Sequence, residues 1–393
     1  MDRIFKVFSF LAVVFILFSA AFGSAASVPG EELNYVFESG TEGYECFRIP
    51  AVVKSVKGTV LAFAEGRKNG CSDIGSIDLV LKRSVDGGRT WGPLQVVWSD
   101  GINTCGNPAP VVDSSTGKIL LLSTWNLGSD RESEIIEQES TDTRRVFLLK
   151  SVNDGISWSS PEEITAQVKE KQWTWYATGP VHGIQLEKEK FRGRPVIPCD
   201  HIEAGSKAMR SHVIYSENHG DTWKLGGIVP QDQVNECTVA ELEDGRLLLN
   251  MRNYDRDQSA RMVSFSRDGG VSWSDVMVDP ILVEPICQAS MLMFHRTSAP
   301  DLLLFMNPGS RKKRMKMTLR ASFDQGRTWD LSLVLHPGPS AYSDMVQVNE
   351  KEVLFMMETG RESPYEGIAA RGPVDIYSLI EQAREANNLK EKP

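Results

Sequence analysis

The sequence predicts an all-β protein, a six-bladed β-propeller, and three observations lead to this prediction. An eight-residue box recurs five times, starting at residues 84, 151, 216, 266 and 322. Short apolar runs with the length of β-strands lie between consecutive boxes, and the pattern of a helix is confined largely to "IYSLIEQAREANN" near the C-terminus. Repeats at such spacing are typical of propeller blades or of a solenoid.

The five boxes read "SVDGGRTW", "SVNDGISW", "SENHGDTW", "SRDGGVSW" and "SFDQGRTW". Each fits a hairpin turn, in which a polar residue opens the turn, glycine takes a backbone conformation that other residues avoid, and tryptophan packs back on the sheet. The acidic residues would also permit a catalytic role. One active site does not need five copies, however, and two boxes carry asparagine at the third position. We therefore interpret the boxes as structural turns.

Each box is expected to join the third and fourth strands of a blade. The first blade contains "RIPAVVKS", "TVLAFAEG", "IDLVLKRS" and "PLQVVWS", and the second repeats this order with "PAPVVD", "KILLLSTW" and "RVFLLKS". Five boxed units and a sixth built from "AYSDMVQV" and "EVLFMMET" make six blades. The N-terminal segment "LNYVFES" is expected to complete the last blade.

The chain is expected to divide into a signal peptide (1–26), the propeller (27–380) and a C-terminal tail (381–393). Arg3 and Lys6 precede an apolar run that is followed by small residues suited to cleavage near Ala25 or Ala26. The alternative is an uncleaved membrane anchor, which is less favoured because no basic stop-transfer cluster follows the run. We expect a secreted or periplasmic protein with no membrane association after cleavage.

Composition narrows the class of partner and cofactor. The net charge of −9 and the absence of a long basic run argue against binding to nucleic acid. The six cysteines lack C-x-x-C spacing, so no structural metal site is expected, and nothing in the sequence requires an organic cofactor. Most cysteines are expected to be small buried thiols, with a bridge between Cys71 and Cys105 as one open possibility.

Unusual polar and aromatic residues are predicted to gather on one rim. Because the strands of a blade are antiparallel, the start of strand one, the end of strand two and the start of strand three share the rim opposite the boxes. That rim receives Arg48, Arg67, Asp73, Trp125, Glu236, Arg252, Arg314, Tyr342 and Glu358. Each has a plain structural explanation alone, such as a solvated loop arginine or a packed tyrosine. Several guanidinium groups on one rim still favour an anionic ligand.

These residues and motifs resemble those of the exo-α-sialidases of the bacterial and animal type. The resemblance rests on "FRIP", the repeated boxes and the late "AYS", and it runs from Leu33 to Glu358. It implies that Arg48, Arg252 and Arg314 grip the sialic acid carboxylate, with Arg311 and Arg320 as rivals for the third position. It also implies the following roles: Arg67, Asn107 and Trp125 contact the sugar, Asp73 is the acid/base, Glu236 assists the nucleophile Tyr342, and Glu358 holds Arg48.

The chemistry of sialic acid agrees with this assignment. Its carboxylate sits on the anomeric carbon and would repel a carboxylate nucleophile, whereas a neutral tyrosine hydroxyl avoids that repulsion. The expected activity is therefore the retaining hydrolysis of terminal α-linked sialic acids from glycoproteins, glycolipids or oligosaccharides. The alternatives are a propeller that binds sialic acid without turnover, and a trans-sialidase or intramolecular sialidase. The acidic loop "GSDRESEIIEQESTDT" is the candidate for linkage specificity.

Overall fold

The computed structural model describes residues 33–297 and 299–388, and these residues form strands and loops with little helix, which confirms the predicted all-β class. In chain order the first strands are β1 (Tyr35–Glu38), β2 (Cys46–Lys54), β3 (Val60–Arg67), β4 (Ile77–Ser84), β5 (Gln95–Trp98), β6 (Thr104–Val112), β7 (Ile119–Asn126), β8 (Arg145–Ser151), β9 (Glu162–Glu163), β10 (Trp173–Thr178), β11 (Ile184–Gln185) and β12 (Pro195–Glu203).

The chain continues with β13 (Met209–Tyr215), β14 (Lys224–Ile228), β15 (Val234–Glu241), β16 (Leu247–Asn253), β17 (Ala260–Ser266), β18 (Met277–Val283), β19 (Ser290–Phe294), β20 (Leu302–Pro308), β21 (Met315–Ser322), β22 (Leu331–Gln347), β23 (Glu352–Thr359) and β24 (Gly367–Asp375). Helices are α1 (Glu132–Glu137), α2 (Thr165–Val168) and α3 (Ile376–Asn388), with a 3-10 turn at Glu189–Phe191.

The strands hydrogen-bond in groups of four antiparallel strands. The groups are β2–β3–β4–β5, β6–β7–β8–β9, β10–β12–β13–β14, β15–β16–β17–β18, β19–β20–β21–β22 and β22–β23–β24–β1, with β11 added beside β12. Strand β22 belongs to two groups, because its first half pairs with β21 and its second half pairs with β23. As predicted, the N-terminal strand joins the last group, where Tyr35 lies opposite Ala369.

Strands of successive groups contact one another, and each is the first strand of its group except β12, which takes part beside β10 in the third group. Strand β2 contacts β6, β6 contacts β10 and β12, and β12 contacts β15. In turn β15 contacts β19, β19 contacts β22, and β22 contacts β2. Residues at corresponding ends of these strands therefore lie close together although they are far apart in the chain.

The boxes form the predicted turns. In the first box the Ser84 hydroxyl accepts the amide hydrogen of Gly88 at 2.8 Å, and Asp86 accepts the amide and hydroxyl hydrogens of Thr90 at 2.9 and 2.6 Å. Gly88 has a φ of +94°, a region that side chains with a Cβ rarely adopt. Asn218 accepts the corresponding amide hydrogen at 2.9 Å in the third box, so asparagine replaces aspartate without loss of the turn.

The structure describes the predicted helix near the C-terminus but does not describe the expected signal peptide at the N-terminus. The predicted C-terminal helix is present as α3, and it crosses the expected boundary at residue 380, with Leu379, Ile380 and Ala383 buried against the sheet. The expected signal peptide, residues 1–26, lies outside the described residues. Within residues 33–297 and 299–388, no helix is long and apolar enough to cross a membrane.

The suggested bridge between Cys71 and Cys105 is wrong, because Cys71 is bonded to Cys46. Cys46 begins β2 and lies opposite Arg67, the last residue of β3, so the loop that follows β3 returns over the start of β2. Cys105 is instead buried in the apolar cluster with Leu121 and remains a free thiol. The other free cysteines in the described chain are also buried, in line with the sequence prediction.

Candidate active site

A polar cavity of about 160 Å³ lies where the first strands of the groups converge. Its wall includes eight of the ten residues that the sequence singled out, namely Arg48, Arg67, Asp73, Asn107, Glu236, Arg252, Arg314 and Tyr342. Glu358 lies behind the wall and Trp125 lies away from the cavity. The structure therefore brings together most of the residues that were predicted from their positions at strand ends.

The first strands are irregular at the level of the cavity. Their pairing registers shift between Arg48 and Ala51 in β2, Gly106 and Ala109 in β6, Val234 and Cys237 in β15, and Ser340 and Ser343 in β22. A bulge changes the direction in which nearby side chains point. Arg48, Asn107, Glu236 and Tyr342 all lie at or within these irregular stretches, and all four reach the cavity.

Glu358 fixes the first arginine from behind. Its oxygens accept hydrogen bonds from Arg48 Nε at 3.1 Å and Nη2 at 3.3 Å, which is a bidentate pair. The same carboxylate accepts the backbone amides of Ile49 at 2.8 Å and Tyr342 at 3.1 Å. One fully buried carboxylate thus ties the start of β2 to the strand that carries Tyr342.

Tyr342, Glu236 and Arg252 form a tight triad. The Tyr342 hydroxyl donates to Glu236 Oε1 at 2.5 Å, while Arg252 Nη1 donates to Glu236 Oε2 at 2.6 Å and to the Tyr342 oxygen at 3.0 Å. Burial and the charge of Glu236 raise the pKa of Tyr342 well above its usual value, against the opposing effect of nearby arginines. The phenol is therefore neutral and donates its hydroxyl hydrogen to a carboxylate.

Arg314 differs from the other two arginines in its partners. It donates to the Tyr365 hydroxyl at 3.0 Å and to the Ile286 carbonyl at 3.2 Å, and its guanidinium lies 5.5 Å from the centre of the Tyr342 ring. It forms no ion pair within the described chain, so its charge is available to a ligand. The rival Arg320 is instead bonded to Asn307 and does not line the cavity.

Asp73 is a charged wall residue that is exposed to solvent. Its side chain is 63% exposed, and Oδ1 lies 2.7 Å from Arg67 Nη1 and 3.2 Å from Arg48 Nη1. Arg67 is held on its other side by Glu65, at 3.0 Å from Nε. Partial burial raises the pKa of Asp73, but Arg67 and Arg48 lower it by more, so the net pKa lies below its ordinary value.

The structure adds cavity residues that the sequence reasoning missed. Arg144 precedes β8, stacks on Trp175 at 4.0 Å and donates to Asn126 at 2.6 Å. It also donates to the side-chain oxygen of Asn107, whose backbone amide is bonded to Glu65 at 2.7 Å. Nothing in the pattern around "TDTRRVFLL" distinguishes Arg144 from its neighbour Arg145.

Two further acids line the cavity. Asp200 is completely buried, and its pKa is raised well above the ordinary value by burial and by the charges of Glu236 and Glu132. It accepts a hydrogen bond from Asn235 at 3.0 Å. Glu132 begins α1 within the predicted specificity loop, so that loop does reach the cavity wall. Among the described residues, no cluster of three or more side chains is arranged to bind a metal ion.

Trp125 does not line the cavity, so its expected contact with the sugar stays a prediction. Its indole Nε1 donates to Asp100 at 2.8 Å, and its ring lies near Phe147 and Arg145. Successive side chains of a strand point to opposite faces, and the position at a strand end does not by itself decide which face is used. Trp175 in β10 supplies the indole in the cavity wall.

The fold and the cavity agree with the similarities to known proteins. A profile of the BNR repeat-like domain matches residues 58–355. The chain is 30% identical over 344 residues to a sialidase of Bacteroides fragilis, covering 82% of this chain and 62% of that protein. It is 31% identical over 343 residues to an exo-alpha-sialidase of Aspergillus fumigatus, covering 81% of this chain and 79% of that protein.

The chain is also similar to solved structures. A Hadza microbial sialidase, Hz136, superposes with a TM-score of 0.78 at 30% identity and covers 88% of this chain and 68% of its own. The intramolecular trans-sialidase of Ruminococcus gnavus shares the fold, with a TM-score of 0.72 at 16% identity over 86% of this chain and 96% of its own. The chain is a BNR repeat-like protein and belongs to the sialidase family. It spans 62% and 54% of the length of two bacterial sialidases that it matches, those of B. fragilis and Micromonospora viridifaciens.

Proposed function

We propose that the protein is an exo-α-sialidase that hydrolyses terminal α-linked sialic acids of glycoproteins, glycolipids or oligosaccharides. The observation that carries the proposal is the 2.5 Å hydrogen bond from Tyr342 to Glu236 beside Arg48, Arg252 and Arg314. A neutral nucleophile with an attached base, next to three guanidinium groups, suits a sugar that carries a carboxylate on its anomeric carbon.

The proposed reaction retains configuration through two displacements. In the first, the Tyr342 oxygen attacks the anomeric carbon, its proton passes to Glu236, and Asp73 protonates the departing glycosidic oxygen. In the second, Asp73 removes a proton from water, water attacks the same carbon, and the Tyr342 oxygen recovers its proton from Glu236. The three arginines hold the carboxylate so that the anomeric carbon faces the phenol.

The proposed architecture for this site is a closed six-bladed propeller. The succession of contacts among first strands, which returns from β22 to β2, supports closure. The pairing of β1 with β24 supports it as well, because the last blade then takes strands from both ends of the chain. We also propose that residues 1–26 direct export, so that the enzyme meets its glycoconjugates either outside the cell or in the periplasm.

The deciding experiment is product analysis by NMR on sialyllactose and on an aryl sialoside. The expected result is release of free sialic acid, with the α-anomer formed first. Well-folded protein that binds a sialic acid analogue and releases nothing would overturn the enzymatic proposal in favour of a binding module. An anhydro-sugar or a transferred sialic acid as the main product would overturn simple hydrolysis.

A further inference from the structure

The loop that carries Asp73 is joined covalently to the strand that carries Arg48. Cys71 lies two residues before Asp73, and its disulfide partner Cys46 lies two residues before Arg48. The bond therefore closes a short path between the acid and one of the guanidinium groups that contact it. Cys71 is exposed, whereas Cys46 is fully buried in the sheet.

Few other bonds fix this loop. Within the described chain, no backbone amide of residues 69–75 donates a hydrogen bond to the protein. The remaining ties are the bond from Arg67 Nη1 to the Cys71 carbonyl at 2.6 Å, the bond from the Thr104 hydroxyl to the Gly75 carbonyl at 2.9 Å, and the ion pairs of Asp73 Oδ1 with Arg67 at 2.7 Å and Arg48 at 3.2 Å. The Asp73 side chain is mostly exposed and does not anchor the loop by packing.

We propose that the Cys46–Cys71 disulfide is a positioning device for Asp73 and that its reduction selectively weakens the acid step. The inference rests on the proposed sialidase function. A dithiol reductant donates two electrons and two protons to the bond, giving two cysteine thiols and the oxidised reductant. Arg48, Arg252, Glu236 and Tyr342 lie on strands, and Arg314 lies directly before one, so they keep their geometry, whereas the tip of the loop loses its covalent constraint.

The consequence depends on the leaving group. A sugar leaves as a strongly basic oxygen that needs a proton from Asp73, whereas an activated phenol leaves without one. A displacement of about 1 Å in a catalytic group lowers rates by roughly 10²-fold. Loss of the disulfide should therefore lower kcat/KM for sialyllactose by about 10- to 100-fold. The first-step rate with an aryl sialoside and the affinity for an unsaturated sialic acid analogue should each change by less than about threefold.

The test compares Cys71→Ser with the wild-type protein before and after treatment with dithiothreitol. Ser72→Ala is the matched control, because it alters the neighbouring loop residue and leaves the disulfide intact. Dithiothreitol should reproduce the Cys71→Ser profile in the wild type and in Ser72→Ala, and it should have no further effect on Cys71→Ser. Melting temperatures and analogue binding show that each protein is folded.

Two results would overturn the inference. Equal losses on both substrates would mean that the bond supports the whole site, and unchanged sialyllactose hydrolysis after complete reduction would mean that it does not position Asp73. A failure of the proposed function is distinguishable, since the oxidised wild-type protein would then release sialic acid from neither substrate. That result would remove the basis of the inference as well.

Discussion

The hydroxyl of Tyr342 donates to Glu236 across 2.5 Å, although 106 positions separate the two residues in the chain. Arg252 contacts both partners and compensates for the buried carboxylate. The tyrosine alone would attack poorly because its pKa is raised by burial and by Glu236. The same carboxylate that raises this pKa is placed to accept the proton in the proposed attack, so the resting arrangement fits the proposed first displacement.

Replacing Glu236 by glutamine should remove the proton acceptor and leave the size of the side chain unchanged. We expect kcat to fall by about 10²- to 10⁴-fold on sialyllactose and on an aryl sialoside alike. Pre-steady-state release of the aryl group measures the first step directly. Tyr254→Phe is the control, since it removes a phenolic hydroxyl from the same cavity without a hydrogen bond to Glu236. A variant Glu236→Gln with normal first-step rates would contradict the proposed base.

Replacing Tyr342 by phenylalanine should abolish formation of the covalent glycosyl-enzyme. The attacking oxygen is lost while the buried ring is kept, so the melting temperature should change little. Mass spectrometry after incubation with a fluorinated sialoside measures the adduct. A stoichiometric adduct on the variant would show that another side chain is the nucleophile.

Arg314 offers a cleaner test of carboxylate binding than Arg48. Removing Arg48 leaves Glu358 buried without its cation, which typically costs about 3–5 kcal/mol of stability, so binding and folding would change together. Arg314 has no carboxylate partner among the residues that the structure describes, so Arg314→Ala leaves none of their buried charges unpaired. We expect the Kd for sialic acid to rise about 10- to 100-fold, as for the loss of a hydrogen bond to a charged group, with a small change in melting temperature.

Titration calorimetry with sialic acid and with its neutral methyl ester checks this prediction. The loss of affinity in Arg314→Ala should be confined to the free acid, because only the carboxylate needs the cation. An equal loss with the ester would mean that Arg314 supports the cavity without contacting the carboxylate.

The box tryptophans should affect stability without affecting the chemistry. Trp223 is almost fully buried among Leu120, Ile197 and other apolar side chains, so Trp223→Ala should lower the free energy of unfolding by about 3–5 kcal/mol. Denaturant unfolding measures the loss. The folded fraction should bind an unsaturated sialic acid analogue with normal Kd. Normal stability with lost binding would contradict the structural role of the box.

The sequence predicts those features of the fold and the site that follow from the repeated boxes and from the positions of residues at strand ends. The five boxes predict the hairpins because each contains its own hydrogen-bond partners, and antiparallel pairing then predicts which strand ends share a rim. The face of a strand was not predictable at Trp125, because bulges in neighbouring strands change the alternation of side chains. Arg144 and the partner of Cys71 were missed for another reason. Their positions depend on how loops cross the sheet, and the local sequence carries no signal of that path.

The pKa of Asp73 should rise when a carboxylate binds. In the free protein Arg67 and Arg48 hold this pKa below its ordinary value. A bound carboxylate shares Arg48 with Asp73 and adds a second negative charge, so the charged form of Asp73 becomes less favourable. The pKa is then higher in the complex than in the free protein, and binding must be accompanied by proton uptake in the interval between the two values.

The sign of the pH dependence follows from this difference. Above the pKa of the complex, Asp73 is ionised in both states and affinity for an unsaturated sialic acid analogue should be independent of pH. As the pH falls from that value towards the lower pKa of the free protein, affinity should increase and proton uptake should appear. Calorimetry in buffers of different ionisation enthalpy, over roughly pH 3.5 to 7, measures both quantities. Asp73→Asn cannot titrate at this position and should lose the uptake. Equal proton uptake in Asp73→Asn and the wild type would assign the effect to another group, and affinity that decreases over the same interval would contradict the predicted rise in the pKa of Asp73.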